Sequence, residues 1–286
     1  MGDPLAVDAA AKVNLFLRVL AAEASGYHGI ETLFCRIALA DTVRVERREG
    51  GTVSLDVDGP DLGPAAANLA VRAAELVLEA TGRRFGVHLT LIKRIPTGAG
   101  LGGGSADAAA ALELVNQLAG NPIPRSELGH FATRLGADVG FLLSGASLAL
   151  GWGHGERLLR LPALPKAPVL LLVPPVAIKT VEAYRWVDQA RSTAAPRGAL
   201  TLDLAALASW SDVARMAGND FESAVFGREP AIREGFEALA RTRPLLCRMS
   251  GSGSTLFAVY RTERDRDDAR SMLGKKFGTT ITTETR

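Results

Sequence analysis

From residue 5 to residue 57 apolar and polar positions alternate in four runs, VNLFLRVL, TLFCRIAL, TVRVERRE and TVSLDVDG. Val43 and Val45, and then Val53, Leu55 and Val57, fall at every second position, which puts them on one face of a half-buried strand. The pattern predicts an antiparallel sheet, with Gly50-Gly51 as the hairpin turn between its last two strands and Gly59-Pro60 as its end. Between 65 and 81 the period lengthens. Leu69, Ala73, Leu76, Val77 and Ala80 share one helical face, and Gly82 stops the helix. Residues 86–93 return to strand alternation through Val87, Leu89 and Leu91 and lead into a loop dense in glycine. The alanine-rich stretch 105–119 predicts a helix closed by Asn121-Pro122, a third helix covers 126–135, and Gly136-Ala137-Asp138 opens a further segment.

Punctuation changes after Leu161. PALPKAP, Pro174-Pro175 and the STAAPRG stretch that begins at Ser192 read as connections around a second lobe, and divide the chain into 1–161 and 162–286. A strand over 169–173, helices over 180–191, 230–241 and 263–275, and the strand-like LLCRMS and TLFAVY predict a βα layer for that lobe. No internal repeat or low-complexity tract interrupts it.

At about 150 residues per domain, a chain of 286 residues makes one large domain or two modest lobes. Its 47% apolar and 22% charged residues are those of a folded protein, and exclude a disordered chain, a coiled coil or a disulfide scaffold. Thirty-three basic against 31 acidic residues leave a net charge of +2, too small a field for general nucleic-acid binding, so an anionic ligand must be held locally. Cys35 and Cys247 lack C-x-x-C spacing and read as buried thiols of a reducing compartment. The N-terminal text has Asp3, Asp8 and Lys12 but no signal-peptide pattern, and the apolar run 169–173 stops far short of the roughly 20 residues that span a bilayer. A cytoplasmic protein without a membrane partner is expected.

The densest chemistry lies in KRIPTGAGLGGGSADAAA, residues 93–110. Gly98, Gly100, Gly102, Gly103 and Gly104 leave the backbone bare, so successive N–H groups can close around an anion and pass into the partially positive start of a helix. This is a phosphate cradle, but of neither common type. Its G-x-G-x-x-G lacks the acidic residue about 20 positions on that a dinucleotide fold needs, and a P-loop needs Lys where Gly104 runs straight into Ser105. Ser105 is placed to cap the helix or to touch phosphate. His28, His88, His130 and His154 are scattered without ligand spacing, so no protein-held metal is expected. Alone, Lys12 reads as an exposed strand lysine and Asp138 as a helix cap.

The glycine loop resembles the P-x-G-x-G-L-G-S/G-S motif of the GHMP kinases, the superfamily of galactokinase, homoserine kinase and mevalonate kinase. AAAKVNLFLRV is similar to the family's substrate strand, and MSGSGSTLFAVY to its third, glycine-rich motif. Lys12 with Asn14, Gly26-Tyr27-His28 running into ETLF, and GADV at 136–139 resemble the branch that phosphorylates a cytidine diphosphate-linked methylerythritol in the non-mevalonate (MEP) isoprenoid pathway. Two positions depart from that pattern: Ala10-Ala11 precede the lysine where proline is usual, and Gly140 replaces the proline after GADV.

This resemblance implies an α/β (α+β), two-lobed GHMP kinase fold, with an N-terminal ribosomal-S5-like lobe and a C-terminal ferredoxin-like lobe. It implies ATP as co-substrate, Mg2+ bound with ATP, and a small-molecule substrate, a cytidine diphosphate-linked polyol. Lys12 and Asp138 are implied as catalytic, the carboxylate accepting a proton from the alcohol and the ammonium stabilising the moving phosphoryl group. Asn14, Tyr27, His28 and Tyr184 are implied as substrate-binding, with the rings and His28 around cytosine. Asn68, Lys93, Pro96, Gly98, Gly100, Leu101, Gly102, Gly103, Gly104 and Ser105 are implied as ATP-binding. Gly251 and Gly253 are expected to bring backbone close to the phosphate loop, and Asn219-Asp220-Phe221-Glu222 echoes a family segment with a structural part only. A GHMP kinase for homoserine or mevalonate, a nucleotide-binding homologue without turnover, and the oligomeric state stay open.

Overall fold

In a computed structural model, which describes residues 3–24, 26–191, 205 and 207–286, the opening alternation becomes β1 (Leu5–Ala22), β2 (His28–Arg48) and β3 (Val53–Asp58). TLFCRIAL and TVRVERRE are one strand, not two. The polar break between them, Asp41, is fully buried and hydrogen-bonded, so β2 runs through it. There follow α1 (Leu69–Ala80), β4 (Gly86–Ile92), α2 (Gly103–Leu118), α3 (Arg125–Leu135), α4 (Ala137–Ser144), β5 (Leu148–Gly153) and β6 (Arg157–Leu161). Then come β7 (Pro168–Val173), α5 (Thr180–Arg191), α6 (Trp210–Met216), α7 (Asp220–Phe226), α8 (Pro230–Arg241), β8 (Leu246–Met249), β9 (Leu256–Val259), α9 (Glu263–Leu273) and β10 (Thr279–Glu284). The connection expected over 192–198 lies outside the described residues.

The chain forms two compact units. One comprises Met1–Ala11, Leu39–Thr97 and Gly102–Gly145. Here β4 lies between β3, to which it is parallel with Val53 opposite Val87, and the second half of β2, to which it is antiparallel with Val45 opposite Leu89. The expected hairpin at Gly50-Gly51 is therefore corrected, as is the all-antiparallel sheet. Gly86 makes the insertion possible, because a Cβ there would stand 2.6 Å from the Thr52 carbonyl oxygen. Helix α2 is buried along most of its length, through Ala106, Ala108, Ala109, Ala110, Ala111, Leu112, Leu114 and Val115. Its methyl-sized side chains let α1 approach with its own Ala70, Ala73, Ala74 and Val77, and each buried Leu or Val contributes about 1.5–3 kcal/mol.

The other unit comprises Lys12–Ala38, Gly98–Leu101 and Ala146–Arg286. The first half of β2 pairs with β5, Phe34 opposite Ala149, and β5 with β6, Leu150 opposite Leu159. A second, antiparallel sheet has the order β10-β7-β9-β8. Leu170, Leu172, Leu256 and Ala258 from its strands pack against Val187, Phe221, Ile232, Leu239 and Leu273 from the helices. Cys35 and Cys247 are both free and buried. Burial pushes both thiols up, Cys35 to about 12.

Candidate active site

Lys12 and Asn14 stand two positions apart in β1, so their side chains leave the same face of the strand. Both are buried, and the Lys12 ammonium donates to Asn14 Oδ1 at 2.7 Å. Asn14 Nδ2 donates in turn to Thr32 Oγ1 at 2.8 Å, and that hydroxyl donates to the Phe16 carbonyl at 2.8 Å. The relay holds the lysine in one rotamer, so about 2 kcal/mol of side-chain entropy is surrendered in folding rather than in binding.

Hydrogen bonds to its carbonyls bring the first part of the glycine loop to the same place. Lys12 N–H donates to the Leu101 carbonyl at 3.0 Å, Thr255 N–H to Ala99 at 3.2 Å, and the Ser250 hydroxyl to Gly100 at 2.9 Å. Gly100 admits no side chain here: its φ is +80° and a Cβ would stand 2.2 Å from the Ser250 carbonyl oxygen. A methyl placed on Gly251 would stand 3.4 Å from the Lys12 nitrogen. Within this unit Lys12, which bonds Asn14 and Leu101, and Gly100 thus meet the Gly251 turn, while Gly98 is exposed.

The remainder of the loop belongs to the first unit. Gly102, at φ +73°, is the N-cap of α2, and Gly103, Gly104 and Ser105 form the helix's first turn. Ser105 is therefore inside the helix and not its cap. No side chain caps α2, so its leading N–H groups are offered to an anion. Asn68 caps α1, its Oδ1 accepting from Ala70 N–H at 2.9 Å, and the neighbouring Leu69 reaches 3.9 Å from where a Gly104 Cβ would stand. Pro96 is half-buried beside the buried Ile95, and Asp138 is half-buried in the first turn of α4. Neither departure from the family pattern breaks its element: Ala10 and Ala11 continue β1, and Gly140 lies within α4.

Lys93 is turned inward. Its side chain is 3% exposed and its ammonium is clasped by Asp41 and by Asp107 Oδ2, the latter at 2.6 Å. Asp41 Oδ1 also accepts the N–H groups of Arg94 at 2.5 Å and Ile95 at 2.8 Å, so this carboxylate fixes the entrance of the loop while Lys93 ties it to α2. One ammonium thus serves two buried carboxylates. Burial pushes the Asp107 carboxyl up to about 6, against the pull of Lys93 and with help from Asp41. Folded Asp107 holds its proton more tightly than the unfolded chain does. Its stabilising contribution is full below the ordinary value of 3.8 and is lost as pH rises through about 6. From pH 4 to pH 7 the wild type is expected to lose about 2 kcal/mol relative to Asp107→Asn in urea melts. Parallel stability curves would dismiss this origin.

His28 and Tyr184 are brought together in the second unit, their rings stacked with centroids 5.0 Å apart and planes 21° from parallel. His28 Nε2 lies 2.8 Å from Asp188 Oδ1. A carboxylate oxygen accepts, so in this contact Nε2 is the donor. Tyr27 is 67% exposed and its ring is tilted against that of His154, with centroids 5.4 Å apart.

Sequence reading missed Thr32, Asp41, Asp107, Asp188 and Ser250. Only Asp41 left a trace, as a charge inside a strand-like run. Among the described residues, no group of three His, Cys, Asp or Glu side chains is arranged to hold a metal, and no helix is long and apolar enough to cross a membrane.

A bare glycine loop that feeds an uncapped helix, and a strand that presents a fixed lysine, are parts of a GHMP kinase, and the family matches agree. Residues 68–147 match the GHMP kinases N terminal domain and residues 202–279 match GHMP kinases C terminal. The 4-diphosphocytidyl-2-C-methyl-D-erythritol kinase of Parvibaculum lavamentivorans is 38% identical over 277 residues, 96% of this chain and 94% of that one. That of Solibacter usitatus is 37% identical over 275 residues, 93% and 84% of the two chains. A crystal structure of 4-(cytidine 5'-diphospho)-2C-methyl-D-erythritol kinase matches with a TM-score of 0.81 at 35% identity, covering 98% of this chain and 99% of that one. The chain belongs to the 4-diphosphocytidyl-2-C-methyl-D-erythritol kinase family.

Proposed function

We propose that this chain transfers the γ-phosphoryl group of ATP to the 2-hydroxyl of 4-diphosphocytidyl-2-C-methyl-D-erythritol, in the non-mevalonate isoprenoid precursor pathway. The observation that carries the reading is the Lys12 ammonium, buried, fixed by Asn14 and set beside Gly251 and the Gly98–Leu101 part of the loop. Phosphoryl transfer has a loose transition state, so placement and charge stabilisation do most of the catalysis. In this reading Lys12 stabilises charge on the moving group, Asn14 holds the polyol, and Asp138 accepts the hydrogen bond of the attacking hydroxyl and then its proton. ATP arrives with Mg2+ on its phosphates. The N–H groups of Gly98, Gly100, Leu101, Gly102, Gly103, Gly104 and Ser105 receive those phosphates. Asn68 and Pro96 flank the base, and Lys93 serves the same ligand through the loop that it anchors. Two free, buried thiols favour the cytoplasm as the site of action.

Tyr27, His28 and Tyr184 are assigned to the cytosine. Removing a hydrogen bond to a ligand costs about 1–1.5 kcal/mol, so His28→Ala is expected to raise KM for the cytidine-linked alcohol about tenfold and to leave KM for ATP unchanged. An effect confined to ATP would contradict the assignment. The reading as a whole is tested by incubating the chain with ATP, Mg2+ and, separately, the cytidine diphosphate-linked alcohol, homoserine or mevalonate. ADP should form with the first. Formation with either of the others moves the chain to another GHMP kinase activity, and ATP binding without turnover makes it a nucleotide-binding homologue.

A further inference from the structure

The Asn219 side chain makes three hydrogen bonds, and the residue is 8% exposed. Its Oδ1 accepts from Phe221 N–H at 2.9 Å and caps α7, and its Nδ2 donates to the Met249 carbonyl at 2.7 Å and to the Gly251 carbonyl at 2.8 Å. The cap alone would be met by Ser or Asp. Donating twice while accepting requires an amide. The second donated bond also goes beyond the sheet, whose last pair in this strand is Met249 with Leu256.

Neighbouring residues bind the segment that carries Asn219 to the strand that carries Lys12 and to the end of β8. Leu17 N–H donates to the Gly218 carbonyl at 2.8 Å, Val19 N–H to Asp220 Oδ2 at 2.7 Å, and Met249 N–H to Glu222 Oε1 at 2.9 Å. The turn has little slack. Gly253 N–H closes on the Ser250 carbonyl at 3.0 Å, the Ser250 hydroxyl reaches Gly100, and a methyl on Gly251 would stand 3.3 Å from the Gly100 carbonyl oxygen. A displacement of Gly251 is thus passed to Gly100 on one side or opens the space beside Lys12 on the other.

We propose that Asn219 is a positioning residue for phosphoryl transfer: by holding the Gly251 carbonyl it sets the Gly98–Leu101 part of the phosphate loop against the Lys12 ammonium. The proposal rests on the kinase reading above and adds to it a residue that touches neither substrate.

Asn219→Asp keeps an acceptor for the cap and loses both donors, and Asn219→Ser keeps that acceptor without adding charge but has one short hydroxyl donor in place of the two amide N–H groups, so one stays informative if the other fails to fold. Misplacement of about 1 Å can cost 10²-fold, and kcat is expected to fall about 10- to 100-fold with both KM values within about threefold. Ser250→Ala, which releases Gly100 from the same turn, should add little to an Asn219 variant. Thr262→Ala supplies the control for a lost cap in the same unit, since Thr262 accepts from Asp265 N–H at 3.1 Å and caps only α9. It should lower Tm and leave kcat unchanged. A folded Asn219 variant with kcat within about twofold of wild type, a loss that multiplies with that of Ser250→Ala, or an equal kcat loss in Thr262→Ala would each overturn the proposal. An active wild type beside an equally active Asn219 variant sinks this inference alone, whereas a wild type inactive on every alcohol sinks the kinase reading and this inference with it.

Discussion

Asp138→Asn is expected to lower kcat by about 10²- to 10⁴-fold while KM for ATP and for the alcohol each stay within a few-fold of wild type. The amide keeps the size and polarity of the carboxylate, so the first turn of α4 has no reason to move. What disappears is an oxygen that can take a proton. Such a loss falls on kcat and kcat/KM alike, the pattern of an interaction made in the transition state. A folded Asp138→Asn enzyme with unchanged turnover would remove this residue from the chemistry. Circular dichroism and a thermal melt establish that it is folded.

The second large effect is expected at Gly100, where Gly100→Ala should reduce kcat/KM for ATP by about 10²-fold or more. Its new methyl would stand 2.2 Å from the Ser250 carbonyl oxygen and 3.0 Å from that of Gly253, both backbone atoms that cannot swing aside. Loop or turn must shift, and the phosphate cradle with it. Gly98→Ala provides the contrast. That glycine also has a positive φ, +64°, but nothing lies within 4 Å of its Cβ position. Only the left-handed backbone penalty of about 1–2 kcal/mol applies, and the loss of activity should be much smaller. Equal losses at the two positions would show that backbone strain, and not the collision with Ser250, is what matters.

Why some elements could be read from the sequence and others could not follows from where their information resides. Strand β4 and helices α1, α5 and α8 carry their own periodicity, and the expected bounds lie close to those observed. Strand β6, RLLRL, is largely exposed and has no alternation to detect, while β10, TTITTE, is Thr-rich and supplies almost no apolar face. In β5 the glycines look like turn residues, yet Gly151 is a packing residue: a Cβ there would stand 2.7 Å from the Phe34 ring. The Gly50-Gly51 turn was legible as a turn, but its partner strand was not, because β4 enters the sheet from later in the chain.

At the site the division is similar. Lys12 and Asn14 could be paired only through the resemblance of AAAKVNLFLRV to the family's substrate strand, whereas the glycine loop was legible from composition. Thr32, Ser250 and Asn219 join them only through pairings with distant segments, so no local spacing announces them. Lys93 shows the cost of reading locally. At the end of an alternating strand it looks like an exposed cation, whereas two acidic residues from β2 and α2 enclose it.

The two inaccessible sulfur atoms have a practical consequence. Alkylating reagents and mixed disulfides act on a thiolate that they can reach, and neither native position offers one. A cysteine introduced at an outward position, such as Val181 at 81% exposure near the start of α5, would therefore react alone, and a fluorophore could be attached there without first stripping the natural thiols from the chain.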